Sequence, residues 1–214
     1  FREGEELLIS IDFEAQKLAY DLMKDRKGSV VVIDLDDFSI PVAISTPSIS
    51  ANDLRDISSL QYQDLLNDPA RPLFNRAFMG LYPPASTIKP LLTVFALNNG
   101  YTNWDETIFD DGFFRFEEEE RVFNAWREGG HGLTDLKKAL VESSNPFFMN
   151  LSIRYEKNLF VDFLKSSSFG SKLCEDCYPH QFSPLIDDDW KYKNFGKELF
   201  KGDFINLGVG QGYM

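Results

Sequence analysis

Basic charge is scarce in this 214-residue chain: 22 Lys and Arg stand against 34 Asp and Glu, a formal net charge of -12 at pH 7. Affinity for a nucleic-acid backbone comes from clustered Lys and Arg that release counterions, and no basic stripe occurs here, so a nucleic-acid partner is excluded. Long apolar runs are also missing. No stretch approaches the ~20 apolar residues that a membrane span needs, and the opening Phe1-Arg2-Glu3-Gly4-Glu5 does not read as a signal peptide. With only two His and no G-x-S-x-G elbow, a Ser-His-Asp hydrolase is a weak rival. No repeat of 20–50 residues appears, which removes solenoids.

Cysteine is nearly absent. The two present, Cys174 and Cys177, form a C-x-x-C with His180 close behind. That spacing suits a local disulfide, half of a zinc site or two free thiols, and composition cannot choose among them.

What is present is a folded composition, 43% hydrophobic with 20 Phe, in a length that makes one ordinary domain or a large fraction of a bigger one. Residues 6–12 read as a short strand ending at Asp12, a good N-cap. Phe13, Leu18, Leu22 and Met23 then lie on one helical face, with the helix ending near residues 24–28. The apolar runs 29–35 and 39–45, separated by Asp36-Asp37, predict a β-hairpin. Residues 46–84, rich in Pro, Asn, Asp and Ser, read as a long, mostly irregular excursion. A helix is expected from about Ser86 to Asn98, since Pro83, Pro84 and Pro90 suit its approach and first turn. Residues 101–133 are aromatic and acidic, with Glu117 to Glu120 a solvated charge run. A second helix is expected from a Thr134 cap to Ser143, broken by Asn145-Pro146. Others are expected from Phe147 to Tyr155 and around Leu159 to Leu164.

The chemistry lies in Ser86-Thr87-Ile88-Lys89, where Ser86 is the only serine with a lysine three residues on. Helical spacing puts i and i+3 on one face, so the Lys89 amine can serve the Ser86 hydroxyl. A free serine is a poor nucleophile and needs a base within hydrogen-bond reach. Lysine qualifies only when burial or nearby positive charge lowers its pKa from about 10.4 toward neutrality. S-x-x-K alone arises easily by chance. Its weight comes from a second element, Ser143-Ser144-Asn145, on the turn after a helix. Ser50-Ala51-Asn52 has the same S-x-N letters but lies upstream in a Pro-rich loop. The closing Gly208-Val209-Gly210-Gln211-Gly212 is not followed by a helix, so it reads as a tight turn or close backbone approach rather than a dinucleotide site.

Several segments together resemble the penicillin-binding protein 2 family of rod-elongation transpeptidases. They are Leu65 to Pro69, Arg71 to Ala77, Tyr82 to Pro90, Gly130-His131-Gly132 and Gly208 to Tyr213. Septal transpeptidases share the neighbourhood of Ser86 to Pro90, whereas the Asn-Asp-Pro run and the closing Gly-Gln-Gly-Tyr are closer to the elongation type. The resemblance implies an α/β (α+β) fold like that of serine β-lactamases, with an incomplete mixed sheet and helices on its faces. Residues 1–214 would be a partial transpeptidase domain, with residues 1–12 near the junction with a preceding non-catalytic domain.

The resemblance also implies roles. Ser86 would attack the carbonyl of the penultimate D-Ala of a peptidoglycan stem peptide, and Lys89 would take its proton. Ser143 would relay that proton, and Asn145 would hold a peptide amide and the lysine amine. The Ser86 amide would be one oxyanion donor. β-Lactams would acylate the same serine, and no cofactor is expected. Implied partners are stem peptides, a membrane glycan polymerase and an elongation scaffold, at the periplasmic face of the inner membrane, with the anchor outside this chain. A β-lactam sensor or hydrolase with the same S-x-x-K core is the alternative, and a catalytically silent scaffold a third reading.

The chain departs from the family pattern in places. Ala85 stands where the family usually has Gly. The K-[ST]-G motif is absent, because Lys27-Gly28-Ser29 has the wrong order and place, so the chain is expected to stop before that motif and to be poorly active alone. Some relatives resemble a zinc site of two Asp, one His and one Cys. Asp110 and His131 match two positions, but Ala125 and Ser144 stand at the others, so no metal site is expected. The C-x-x-C replaces a short Gly-rich connection, and a disulfide or free thiols are expected there rather than a metal.

Overall fold

The computed structural model describes residue 6, residues 8–116, 120–171, 184 and 186–212. The C-x-x-C with His180, most of the Glu117 to Glu120 run and Tyr213 lie outside the described residues. The described chain divides into two compact units, one up to Gly80 and the other from Leu81 onward.

In the first unit α1 (Phe13–Met23) starts where the sequence places it, because the Asp12 carboxylate accepts the Ala15 amide at 2.8 Å. The expected hairpin forms from β1 (Gly28–Val32) and β2 (Val42–Thr46), antiparallel with Gly28 opposite Thr46 and Val32 opposite Val42. The Gln16 side chain ties α1 to this hairpin through both backbone groups of Ala43. Residues 8–12 are not a strand. Leu8 is 94% exposed, and the segment is held by Ser10 and Asp12 to Ile40 and Pro41 without a ladder.

The excursion over 46–84 is less irregular than expected, since it contains α2 (Ala51–Arg55), α3 (Ser59–Asn67) and α4 (Arg76–Met79). Side-chain caps rather than apolar periodicity build them. Ser50 caps α2, Ser58 and Gln61 form a reciprocal capping box on α3, and Asn75 caps α4. Ser50, the first letter of the competing S-x-N, is therefore spent on a helix cap.

In the second unit a 3-10 turn over Ala85–Ile88 leads directly into α5 (Lys89–Asn98). The described part of residues 101–135 carries four short strands that the sequence did not disclose: β3 (Thr107–Asp110), β4 (Phe113–Phe116), β5 (Arg121–Asn124) and β6 (Gly132–Asp135). β3 pairs with β6 and β4 with β5. The expected mixed sheet is thus represented, among the described residues, by three two-stranded antiparallel pairs. Next come α6 (Leu136–Val141), α7 (Asn145–Ser152), α8 (Lys157–Ser166), α9 (Asp188–Phe195) and α10 (Lys201–Leu207). The cap of α6 is Asp135, not Thr134, which belongs to β6. Asn145-Pro146 opens α7 rather than lying before it, because proline is tolerated where amides lack intrahelical partners.

The core of this unit gathers Leu92, Phe95 and Ala96 of α5 with Phe148 and Leu151 of α7, Phe160 and Leu164 of α8, and Phe204 and Ile205 of α10. Phe95 meets the Tyr155 ring edge-on at 4.9 Å and the Phe160 ring at 5.4 Å, an arrangement favoured by ring quadrupoles. Burying these faces fixes the starts of α5 and α7 side by side, which places the candidate site. Among the described residues no helix is long and apolar enough to cross a membrane.

Candidate active site

Ser86 lies on the exposed 3-10 turn, while Lys89 begins α5 at only 2% exposure. In a 3-10 turn residues i and i+3 eclipse, so the two side chains share a face as their spacing predicts. The turn is tied down on both sides: the Thr87 hydroxyl donates to the Pro84 carbonyl, and the Ala85 amide donates to the Gly210 carbonyl at 2.8 Å.

The Ser143-Ser144-Asn145 turn converges on this pair from between α6 and α7. Lys89 Nζ donates to Asn145 Oδ1 at 2.7 Å, to the Ser143 carbonyl at 2.9 Å and to Ser143 Oγ at 3.1 Å. Its three donors thus have three acceptors. Ser143 Oγ in turn donates to Ser86 Oγ at 2.8 Å. Among the described residues Ser86 is therefore linked to Lys89 through the Ser143 hydroxyl rather than by the direct contact that spacing alone suggests. All four expected site residues come together. Ser143 reaches its place in the left-handed region, φ 54°, which a residue with a Cβ rarely adopts.

Burial is what alters the lysine. Removing its charge from water disfavours the ammonium and pulls the Lys89 pKa from 10.5 down to about 8. At that value about a tenth of the amines are neutral near pH 7 and able to accept a proton.

Behind the turn lies a second polar cluster. Asp110, at the end of β3, accepts the Ser144 hydroxyl at 2.6 Å and His131 Nδ1 at 2.7 Å on one carboxylate oxygen, and the Gly112 amide at 2.9 Å on the other. Its burial works against ionisation, but these hydrogen bonds, from Ser144, His131 and Gly112 in turn, prevail and hold the carboxyl below the usual range. Among the described residues the buried His131 Nε2 has no hydrogen-bond partner, and the Glu142 carboxylate is 3.9 Å away.

These residues do not fit a zinc site of two Asp, one His and one Cys. The Ser144 hydroxyl is committed to the Asp110 carboxylate, and Ala125 contributes a backbone amide to the Gly112 carbonyl. Among the described residues no cluster of three or more His, Cys, Asp or Glu is arranged to hold a metal ion.

The Gly-rich end does what close approach demands. A Cβ on Gly210, whose φ is 67°, would fall 2.1 Å from the Ala85 carbonyl oxygen, and one on Gly208 would fall 2.5 Å from the Ser152 Cβ. This segment supports the Ser86 turn by close backbone approach.

The penicillin binding protein transpeptidase domain family matches residues 28–213. The chain belongs to this family. A peptidoglycan D,D-transpeptidase MrdA of Haemophilus influenzae is 36% identical over 98% of the chain, and the Escherichia coli K12 protein of that name is 33% identical over the same share. The chain spans about a third of their length, 32% and 33% respectively. Among solved structures, Pseudomonas aeruginosa PBP2 in complex with WCK 5153 superposes with a TM-score of 0.89 at 29% identity, covering 96% of this chain and 45% of that one. Helicobacter pylori PBP2, also solved as a complex with MreC, gives 0.87 at 29% identity, covering 95% and 38%. The expected transpeptidase fold is therefore the observed one.

Within this family fold, reading the sequence missed the part played by three residues, Ser144, Asp110 and Gly112. Ser144 appeared only as a replaced zinc ligand, yet it caps α7 by accepting the Phe147 amide and bonds Asp110. A serine just before Asn-Pro was the available signal, because Ser favours the cap and Pro the first turn. Asp110 and Gly112 carried no such signal, since their partners are remote in sequence.

Proposed function

We propose that the protein is a peptidoglycan D,D-transpeptidase working through a Ser86 acyl-enzyme. The observation that carries this reading is the continuous chain from Ser86 Oγ through Ser143 Oγ to the Lys89 amine. Neutral Lys89 accepts a proton through the Ser143 hydroxyl as Ser86 Oγ attacks the carbonyl of the penultimate D-Ala of a stem peptide. The Ser86 amide stabilises the oxyanion. The stored proton returns through Ser143 to the leaving D-Ala amine, giving an ester on Ser86. An amine from a neighbouring stem peptide then attacks the ester, forming the cross-link and freeing the serine. A β-lactam enters by the same first step but remains attached, because its leaving group stays tethered.

A β-lactam hydrolase is less well supported. Deacylation by water calls for a water-activating group, and among the described residues no carboxylate bonds Ser86, Ser143 or Lys89. The relatives at 33–36% identity are named transpeptidases. By analogy with the MreC complex of the Helicobacter protein, the full-length protein would dock on an elongation scaffold and act beside a membrane glycan polymerase. Its place would be the periplasmic face of the inner membrane, where the substrate lies.

The test is labelling of the full-length protein with fluorescent penicillin. One label per molecule is expected, retained for many minutes and lost in Ser86→Ala. Rapid release of hydrolysed penicillin would favour the hydrolase, and labelling of Ser86→Ala would remove Ser86 from the mechanism.

A further inference from the structure

The buried cluster behind the S-x-N turn takes no part in the acyl-transfer scheme, yet its contacts end one residue from both partners of Lys89. Ser144 lies between Ser143 and Asn145 and is fixed at three points. Its amide donates to the Ala139 carbonyl at 2.9 Å, its hydroxyl accepts the Phe147 amide at 3.3 Å, and the same hydroxyl donates to Asp110 Oδ2 at 2.6 Å. The first two are ordinary helix-end contacts. The third is charge-assisted and reaches across to β3.

Asp110 is itself held from several directions. His131 Nδ1 and the Gly112 amide take its two oxygens, and its carbonyl accepts the His131 amide at 3.1 Å. Gly130 makes that closure possible: its φ is 67°, and a Cβ there would fall 2.2 Å from the Asp110 carbonyl oxygen. These contacts orient the carboxylate so that Oδ2, which accepts His131 Nδ1, also meets the Ser144 hydroxyl. Ser143 holds a left-handed conformation, and its carbonyl and hydroxyl are two of the three acceptors of Lys89. A turn bearing such a residue drifts to commoner geometry unless its neighbours over-determine it.

We propose that Asp110, oriented by His131, is a positioning residue for acyl transfer: through the Ser144 hydroxyl it holds Ser143 and Asn145 in the register that aligns the Lys89 amine with Ser86. Asp110 and Ser144 are fully buried, so neither touches substrate. The inference rests on the reading of Ser86 as nucleophile.

The experiment measures penicillin acylation of the full-length protein by stopped flow, separating noncovalent affinity from the rate constant of the covalent step, with the final label stoichiometry as a third readout. In Asp110→Asn and Ser144→Ala the covalent rate constant is expected to fall at least tenfold, with affinity within about threefold of wild type and near one label per molecule at completion. A purely structural role would lower the stoichiometry and leave the rate constant of the labelled molecules unchanged. That result overturns the proposal, as does a wild-type rate constant in both variants. Should Asp110→Asn fail to fold, Ser144→Ala decides alone, because it removes only an oxygen. If wild type fails to label, or Ser86→Ala labels, the nucleophile assignment fails instead. Normal Ser86-dependent labelling with unimpaired variants sinks only the positioning role.

Discussion

The Gly210 carbonyl accepts a 2.8 Å hydrogen bond from the amide of Ala85, the residue before Ser86. The two backbones meet with no room for a side chain between them. Gly210→Ala would press a Cβ to 2.1 Å from the Ala85 carbonyl oxygen at a φ of 67°. Strain and overpacking together predict a loss of about 2–4 kcal/mol of stability. A lowered melting midpoint and slower penicillin labelling are the expected results. Unchanged values of both would mean that the Gly-rich segment does not support the Ser86 turn.

Ala85 itself has a φ of 50°, in the left-handed region where a Cβ crowds the backbone by about 1–2 kcal/mol. Glycine relieves that strain but gains about 0.5–1 kcal/mol of freedom in the unfolded chain. Ala85→Gly is therefore expected to be neutral or to stabilise by up to about 1 kcal/mol, with labelling preserved. Thermal unfolding checks the sign, and a drop of several degrees would show that the left-handed turn carries no such strain.

Local physics made part of this site legible. Ser86 and Lys89 share a face because three residues separate them, and the prolines around them mark where a helix can start. The chemistry of Ser143 and Asn145 was reached through the family resemblance, since no periodicity reveals that they meet Lys89 across the chain. The strands β3 to β6 stayed hidden for another reason. Each is four residues long, and Thr107-Ile108-Phe109-Asp110 mixes polar and apolar side chains on both faces. The run 6–12 misled in the opposite sense, because apolar β-formers make a strand only where a neighbour offers a ladder, and the described part of this segment has none. Within 46–84 the helices rest on caps such as Ser58 with Gln61, which a search for apolar stripes passes over.

Asp110 and His131 are expected to bind no stoichiometric zinc. A structural tetrahedral site needs four ligands, and here a serine hydroxyl bonded to the carboxylate and an alanine stand where the other two would be. Metal analysis of purified protein with Cys174 and Cys177 intact provides the check. One zinc per molecule that disappears on His131→Ala would overturn the expectation.

The lysine gives the sharpest pH dependence. Only neutral Lys89 can take a proton, so with a pKa of about 8 the acylation rate should rise about tenfold per pH unit below that value and level off above it. Lys89→Ala should abolish acylation and leave the fold intact. Stability carries a second signature. The unfolded chain, with an ordinary lysine at 10.5, binds more protons than the folded one between about 8 and 10.5, so this group makes stability rise with pH across that window. Below pH 8 both states are protonated, and holding the ammonium in its buried place costs about 3 kcal/mol, at about 1.4 kcal/mol for each tenfold weakening of proton affinity. Comparing wild type with Lys89→Met by chemical denaturation isolates the effect from other titrating groups. The stability of wild type relative to the variant should improve by up to about 3 kcal/mol as pH climbs from 8 to 10.5. A flat difference over that range, together with pH-independent acylation, would show that Lys89 is neither perturbed by burial nor the base.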